Sequence, residues 1–248
     1  SEALKRRAED AAATQDHRTA LELRSAAVAL LRARAPESQE LAAGLTAEGV
    51  SLRDLGRPTE ALPLWEEALA ISRRLFSGDH PDVATGLNNL AVVLSELGRP
   101  AEALPRREEA LAMRRRIFEG DHPLVAGDVN GLALTLGDLG RASEALVISQ
   151  DALAMSRRLF DGDHEQVATI LNNVAVCLYA LARLPEAIAS GDEALAMRRR
   201  LFPGDHPAVV QGMSNLANFL SSAGRPREAL SLFEESLAMR RRLSPADH

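Results

Sequence analysis

The sequence predicts an all-α solenoid of antiparallel helix pairs, each pair occupying one 42-residue repeat. The first sign is the tripeptide Gly-Asp-His, which recurs at residues 78–80, 120–122, 162–164 and 204–206. The second sign is Gly-Arg, which recurs between these tripeptides at residues 56, 98, 140 and 224, with Ala-Arg at residue 182. The third is composition, since hydrophobic residues make up 46% and aromatic residues only 3%. A fixed period of this length is typical of solenoids, and a core of Leu, Ala and Val favours helices.

Each repeat contains two helices, as residues 81–118 illustrate. Pro81 suits the first turn of a helix, where its missing N–H removes no hydrogen bond. Apolar residues then recur at three- and four-residue steps as far as Leu94, which indicates an amphipathic helix. Gly98 ends this A helix, and Pro100 opens the second, B helix.

The period extends these assignments to the whole chain. A helices are predicted near residues 37–55, 81–97, 123–139, 165–181 and 207–223. B helices are predicted near residues 59–76, 101–118, 143–160, 185–202 and 227–243. Residues 2–13 and 18–33 match the repeat less well, so residues 1–36 are predicted to be a partial or capping repeat. Residues 37–248 then form a continuous array of about five repeats.

Two prolines fall inside predicted B helices. A proline in a helix interior costs about 3 kcal/mol, because it removes a hydrogen bond and clashes with the preceding turn. The cost is smaller in the first turn, where the N–H groups have no helical partner. We therefore expect the helices that contain Pro63 and Pro105 to start late or to bend, with Thr59 capping the first of them.

Charge and composition exclude several classes of function. The formal net charge is −6, which argues against nucleic acid as a partner. Cys177 is the one cysteine, so no intrachain disulfide forms, and its apolar neighbours predict a buried side chain. No stretch approaches the ~20 apolar residues of a membrane span, and residues 1–5 do not resemble a signal peptide. These features lead us to expect a cytoplasmic protein, and Asp247-His248 to open a further repeat of a longer array.

The repeat resembles a known family. The run from Leu87 to Ala91 (Leu-Asn-Asn-Leu-Ala), followed by Gly98, Glu102-Ala103 and Ala110-Leu111, resembles the tetratricopeptide (TPR) helix pair. The longer period and the pattern Phe-x-Gly-Asp-His-Pro resemble the kinesin-light-chain type of this repeat. The resemblance covers residues 37–248 and implies a right-handed superhelix. It identifies a class of repeat and does not imply cargo transport.

The resemblance also implies a binding site. In this family the A helices line a concave groove, and their asparagines bind the backbone of a peptide. The matching residues are Asn88, Asn130 and Asn172. Helical spacing adds groove neighbours, namely Thr85, Thr169, Tyr179, Asn218 and Arg53, together with Gly127, Leu134, Asp138, Val176, Gln211 and Ser222. The alternative for each asparagine is a bond to the neighbouring repeat, and this is the favoured role for Asn89, Asn173 and Asn215.

Other recurrent polar residues have structural explanations. The histidines of Gly-Asp-His are spaced too widely to share a metal ion and are predicted to be turn residues. The arginine runs that include Arg114–Arg116 and Arg198–Arg200 lie in the last turns of B helices. There their positive charge interacts favourably with the negative end of the helix dipole, and we expect them to interact with glutamates upstream on the same helices. A basic strip for an acidic partner is the alternative.

The sequence contains no phosphate loop, paired cysteine motif or His-Glu-x-x-His motif. We therefore expect no enzyme activity, no cofactor and no metal site. The predicted function is a protein–protein interaction scaffold that binds a peptide or partner segment in the groove. The alternative is a sensing or self-associating module of a larger signalling ATPase or protease, with end-to-end association through an open terminal helix pair.

Overall fold

The computed structural model describes residues 2–13 and 16–243. Over these residues the chain forms twelve helices and no strand, which confirms the all-α class. The A helices are α1 (Glu2–Ala13), α3 (Gln39–Asp54), α5 (Pro81–Glu96), α7 (Pro123–Asp138), α9 (Glu165–Ala180) and α11 (Pro207–Ser222). Their B partners are α2 (His17–Arg34), α4 (Pro58–Leu75), α6 (Pro100–Ile117), α8 (Ala142–Leu159), α10 (Leu184–Leu201) and α12 (Pro226–Leu243).

The chain divides into two compact units, unit 1 (Ser1–Glu119) and unit 2 (Gly120–His248). Within each unit, every helix packs on the next one along the chain, both inside a pair and between pairs. In unit 2, α7 also contacts α9, and α9 contacts α11, so the A helices lie side by side. The predicted stacking of helix pairs is therefore confirmed within each unit.

The Gly-Asp-His tripeptides form the turns before the A helices. At α9, the Nδ1 atom of His164 accepts a hydrogen bond from the backbone N–H of Gln166 at 3.1 Å. The imidazole also stacks on Phe160, the last residue before the turn, with ring centroids 3.5 Å apart. The same cap occurs at α5, α7 and α11. The histidines are therefore helix caps, and their prediction as turn residues is confirmed.

The B helices α4 and α6 begin earlier than the prolines inside them led us to expect. Pro63 lies inside α4, which begins at Pro58, and α6 begins likewise at Pro100. The predicted late start, with Thr59 as the cap, is wrong. The cap position is Arg57, whose guanidinium binds both carboxylate oxygens of Glu60 at 2.6 and 2.7 Å. Because Pro58 needs no hydrogen-bond acceptor in the first turn, the helix starts there.

The arginine runs bind partners on other elements, so the expected pairing with upstream glutamates of the same helix is wrong. In the run 198–200, the buried Arg198 donates to the backbone oxygen of Ala208 at 2.9 Å. The next arginine binds Glu235 of α12 at 2.8 Å, and Arg200 binds Asp163 at 2.5 Å. Side chains of this length reach the next B helix and the preceding turn.

A candidate binding site on the A helices of unit 2

Polar side chains connect the A helices of unit 2 at a constant offset of 43 residues. The Nδ2 group of Asn173 donates to Oδ1 of Asn130 at 2.8 Å, and Asn215 donates likewise to Asn172 at 3.0 Å. We call these four asparagines the amide ladder. Two further bonds share the offset: Gln166 donates to the backbone oxygen of Pro123 at 2.9 Å, and the Tyr179 and Ser222 hydroxyls lie 3.0 Å apart. The ladder therefore fixes the register of α7, α9 and α11.

The ladder occupies the side-chain oxygens of two predicted groove residues. Asn130 is half-buried, and Asn172 is only 5% exposed. An amide group carries two donors as well as its acceptor oxygen, so the Nδ2 groups of both residues retain capacity for a further partner. Asn173 and Asn215 have the structural role that the sequence favoured, although they bind side chains of the neighbouring repeat.

A cleft of about 300 Å³ lies between α7 and the start of α9. Gly127 and Asn130 line it from α7, and the facing wall is formed by His164, Glu165, Gln166, Thr169 and Ile170. Three of the predicted groove residues, Gly127, Asn130 and Thr169, thus meet in one cleft. Gly127 contributes no side chain to the α7 wall. The cleft therefore exposes the edge of the amide ladder to a ligand.

The predicted groove residues nearer the ends of these helices are exposed. Tyr179 is 37% exposed, and Asn218 of α11 is also exposed. The Tyr179 ring packs against Phe219, with centroids 5.0 Å apart. Because a hydroxyl of α11 and an aromatic ring both contact it, this side chain is held in position.

The predicted site residues of unit 1 bind their own chain. Oδ1 of Asn88 accepts a hydrogen bond from the buried Arg107 of α6. The hydroxyl of Thr85 accepts one from Arg114, also buried, at 3.0 Å. Arg53 forms an ion pair of 3.1 Å with its neighbour Asp54. These residues belong to the A helices of unit 1 and do not line the cleft.

Sequence reasoning missed the buried arginines. Arg107 is 7% exposed, Arg114 is 6% and Arg198 is 3%. Burial lowers the pKa of Arg198, an effect that the carboxylate of Glu165 opposes. The available signal was the position of Arg114 and Arg198, which come first in their runs and share one place in the repeat with the small residues Ser72 and Ser156.

The A helices of unit 2 carry one sign of charge. Helices α7, α9 and α11 contain no Lys or Arg, and their ionisable carboxylates are Asp128, Asp138 and Glu165. Asp128 is buried, and the other two are exposed. The exposed charges of this face are therefore acidic.

The described residues form neither a cluster of metal ligands nor a membrane-spanning helix. Within residues 2–13 and 16–243, no three His, Cys, Asp or Glu side chains come together in a way that could hold a metal ion. None of the helices described above combines the length and the hydropathy needed to cross a membrane.

Solved structures share this architecture. BtubC (BKLC) from P. vanneervenii is 23% identical over 92% of both chains, with a TM-score of 0.74. Kinesin light chain-like repeats from Podosopora anserina are 19% identical over 83% of this chain and 98% of that one, with a TM-score of 0.66. A Rap protein in complex with the competence and sporulation factor is 17% identical over 87% of this chain and 58% of that one, with a TM-score of 0.72.

No functionally curated protein matches the sequence. The tetratricopeptide repeat family model, however, matches residues 40–116, 84–127, 124–200 and 166–242. These matches extend from α3 to α12, so the chain belongs to the tetratricopeptide repeat family, and its structural neighbours include the kinesin-light-chain-like type that the sequence predicts.

Proposed function

We propose that this chain is a protein-interaction scaffold that holds an extended peptide segment of a partner on the A helices of unit 2. The observation that carries the proposal is the cleft of about 300 Å³ in which Asn130 and Thr169 meet. Family membership supports the scaffold role, and the Rap neighbour was solved with a bound factor.

The amide ladder supplies a physical mechanism. An extended peptide presents backbone C=O groups, and the Nδ2 group of Asn130, whose oxygen already accepts from Asn173, can donate to one of them. Asn173 fixes the side chain of Asn130 before any ligand arrives. Binding then costs less conformational entropy than it would for a free side chain. In this proposal Asn130 and Thr169 contact the peptide, while the more deeply buried Asn172 keeps the ladder in register.

The test begins with selection of binders from a random twelve-residue peptide library. Selected peptides, synthesised with a fluorescent label, are then titrated against variants by fluorescence anisotropy. Asn130→Ala and Thr169→Ala should each weaken binding about 5- to 30-fold, since a peptide hydrogen bond is worth about 1–2 kcal/mol. Circular dichroism confirms that each variant remains folded.

Two matched controls separate binding from folding. Asn173→Ala removes the same ladder bond but leaves the Asn130 amide in the cleft, so its loss of affinity should be smaller. Val147→Ala changes a residue of α8 that is 59% exposed and should bind as the wild type does. If Asn130→Ala and Thr169→Ala both bind selected peptides with wild-type affinity, the cleft is not the site.

A second candidate function, self-association, is favoured by α12. Leu230, Phe233 and Leu237 are 58%, 39% and 49% exposed, whereas the corresponding residues of α10, Ile188 and Leu195, are 8% and 3% exposed. Sedimentation over a hundredfold dilution tests this candidate. A mass that falls on dilution, and that becomes monomeric at all concentrations in Leu230→Ser/Leu237→Ser, would support it. A monomer at the highest concentration would reject it.

A further inference from the structure

A glycine in α7 leaves part of the A-helix surface open. Gly137 is exposed, and no heavy atom lies within 4 Å of the place where a Cβ would stand. The corresponding residues of the other full repeats are Arg53, Ser95, Tyr179 and Ser221, which all carry side chains. Glycine inside a helix is less favourable than alanine, because it loses more backbone entropy on folding. Packing does not require the glycine at this position, because a Cβ there would meet no neighbouring atom.

No side chain of the neighbouring helix α9 lies within 4 Å of this open position. Tyr179 occupies the same position in its repeat as Gly137, and its hydroxyl lies 3.0 Å from that of Ser222 on α11. The ring is thus drawn towards α11. One turn earlier on each helix lie two apolar side chains, Leu134 on α7 and Val176 on α9. We call these four residues, Leu134, Gly137, Val176 and Tyr179, the Gly137 notch.

The exposed side chains of the notch are apolar. Leu134 is 45% exposed, Val176 is 40% and Tyr179 is 37%. All three lie on the helices whose side chains form the ladder and the cleft. Single exposed apolar residues are common, but a group beside an open position is typical of a contact surface.

The charges nearby restrict the ligand further. Helices α7, α9 and α11 contribute no cation, and their exposed carboxylates are Asp138 and Glu165. Two arginines of α10 reach α11: Arg198 is 3% exposed and donates to Ala208, and Arg199 binds Glu235 and lies 3.6 Å from the sulfur of Met213. An acidic peptide would therefore find no cation on α7, α9 or α11 to bind.

We propose that the Gly137 notch receives a bulky apolar side chain of a peptide that lacks acidic residues nearby. This proposal rests on the proposed function, because the same peptide is held at Asn130. Seven residues of helix separate Asn130 from Gly137, a rise of about 10 Å. An extended peptide covers that distance in about three residues. The apolar anchor therefore stands about three residues from the part of the backbone that Asn130 binds.

The test fills the notch without weakening the helix. Gly137→Leu places a side chain in the open position, and leucine is a better helix former than glycine, so the variant should remain folded. Selected library peptides should bind it at least tenfold more weakly than the wild type. Ala154→Leu adds a similar side chain at an exposed position of α8 and should leave the affinity unchanged.

A second comparison identifies the anchor. Replacing the apolar anchor of a selected peptide with Ser should weaken wild-type binding at least tenfold, whereas Gly137→Leu should cause little further loss with that altered peptide. Replacing a residue next to the anchor with Glu should weaken binding by severalfold. If Gly137→Leu binds selected peptides as tightly as the wild type while Asn130→Ala does not, the notch is not used but the cleft is. If neither variant loses affinity, the proposed function itself fails.

Discussion

The two units give the same asparagine position different partners. In unit 1, a buried arginine of the B helix, Arg107, donates to Asn88. In unit 2, the equivalent Asn130 receives a neutral amide donor from the next A helix. The residue that corresponds to Arg107 there is the buried Ser149, which is too short to reach across. The asparagine of unit 2 thus retains a neutral environment, and that of unit 1 is bound to a cation.

The difference shows that the residue at one position of the B helix determines which partner is available to the A helix of the same repeat. The residues at this position are Trp65, Arg107, Ser149, Gly191 and Phe233. The indole Nε1 of Trp65 donates to the backbone oxygen of Thr46 at 3.0 Å, so an aromatic residue also reaches the A helix. The backbone repeats with the period, whereas the side chain at this position ranges from the large Trp65 and Arg107 to the single hydrogen of Gly191. We expect the binding properties of each unit to follow it.

The largest expected effect comes from giving unit 1 the residue of unit 2. Arg107→Ser should lower the free energy of unfolding by about 2–4 kcal/mol, because it removes a buried side chain and the donor to Asn88. Chemical denaturation measures the change. Arg106→Ser is the matched control, since that arginine is less buried and donates to a backbone oxygen on its own helix. Equal stability of the two variants would show that Arg107 does not support unit 1.

Gly49→Ala tests the corresponding contact in the first full repeat, where Trp65 packs against α3. A Cβ at this position of α3 would lie 2.3 Å from Nε1 of Trp65, so the indole ring or the helix that carries it must shift. The other repeats carry Ala here, at residues 91, 133, 175 and 217. Helix propensity alone predicts that the change stabilises, whereas overpacking predicts a loss of about 1–3 kcal/mol. A gain in thermal midpoint would contradict the packing described here.

The amide ladder should contribute less, because its bonds are between neutral groups. A double-mutant cycle with Asn130→Ala, Asn173→Ala and the double variant should give a coupling free energy of about 1 kcal/mol. Urea unfolding supplies the four stabilities. Additive losses would mean that the bond between the two amides does not stabilise the fold.

The smallest expected effect is a loss of stability at acidic pH, and it involves ion-paired carboxylates of both units. The bidentate bond from Arg200 lowers the pKa of Asp163 below its ordinary value of 3.8, and Arg57 lowers the pKa of Glu60 below 4.5. A carboxylate with a lowered folded pKa stabilises the protein above the unfolded pKa, and this contribution disappears as the pH falls through the folded value. The thermal midpoint should therefore drop below about pH 4.5. Arg200→Ala should make that drop shallower, and an unchanged slope would exclude the pair as a cause.

The helices could be predicted from the sequence, because their signals repeat. The predicted A helix near 165–181 and the observed α9, Glu165–Ala180, differ by one residue. The start of α4 was missed, since the cost of Pro63 was weighed without Pro58, which suits the first turn, or the ion pair between Arg57 and Glu60. The unfavourable effect of a proline inside a helix was thus outweighed by the residues around it.

Gly127, Asn130 and Thr169 of the candidate cleft are among the residues that the sequence proposed for a groove, but the bonds between the asparagines could not be predicted. A period of 42 aligns Asn130 with Asn172, yet the contacts between neighbouring helices have an offset of 43, so Asn130 binds Asn173. That shift depends on how the helices pack, which spacing along the chain does not specify. The buried arginines were missed for a related reason, since a long flexible side chain can reach several elements.

The most direct test of peptide binding on unit 2 is photo-crosslinking. A selected library peptide carrying benzoylphenylalanine at its apolar position is irradiated with the protein, and mass spectrometry identifies the residues that it modifies. We predict crosslinks in residues 127–137 of α7 and 165–179 of α9, and their loss in Gly137→Leu. Crosslinks confined to the B helices or to unit 1 would contradict the account.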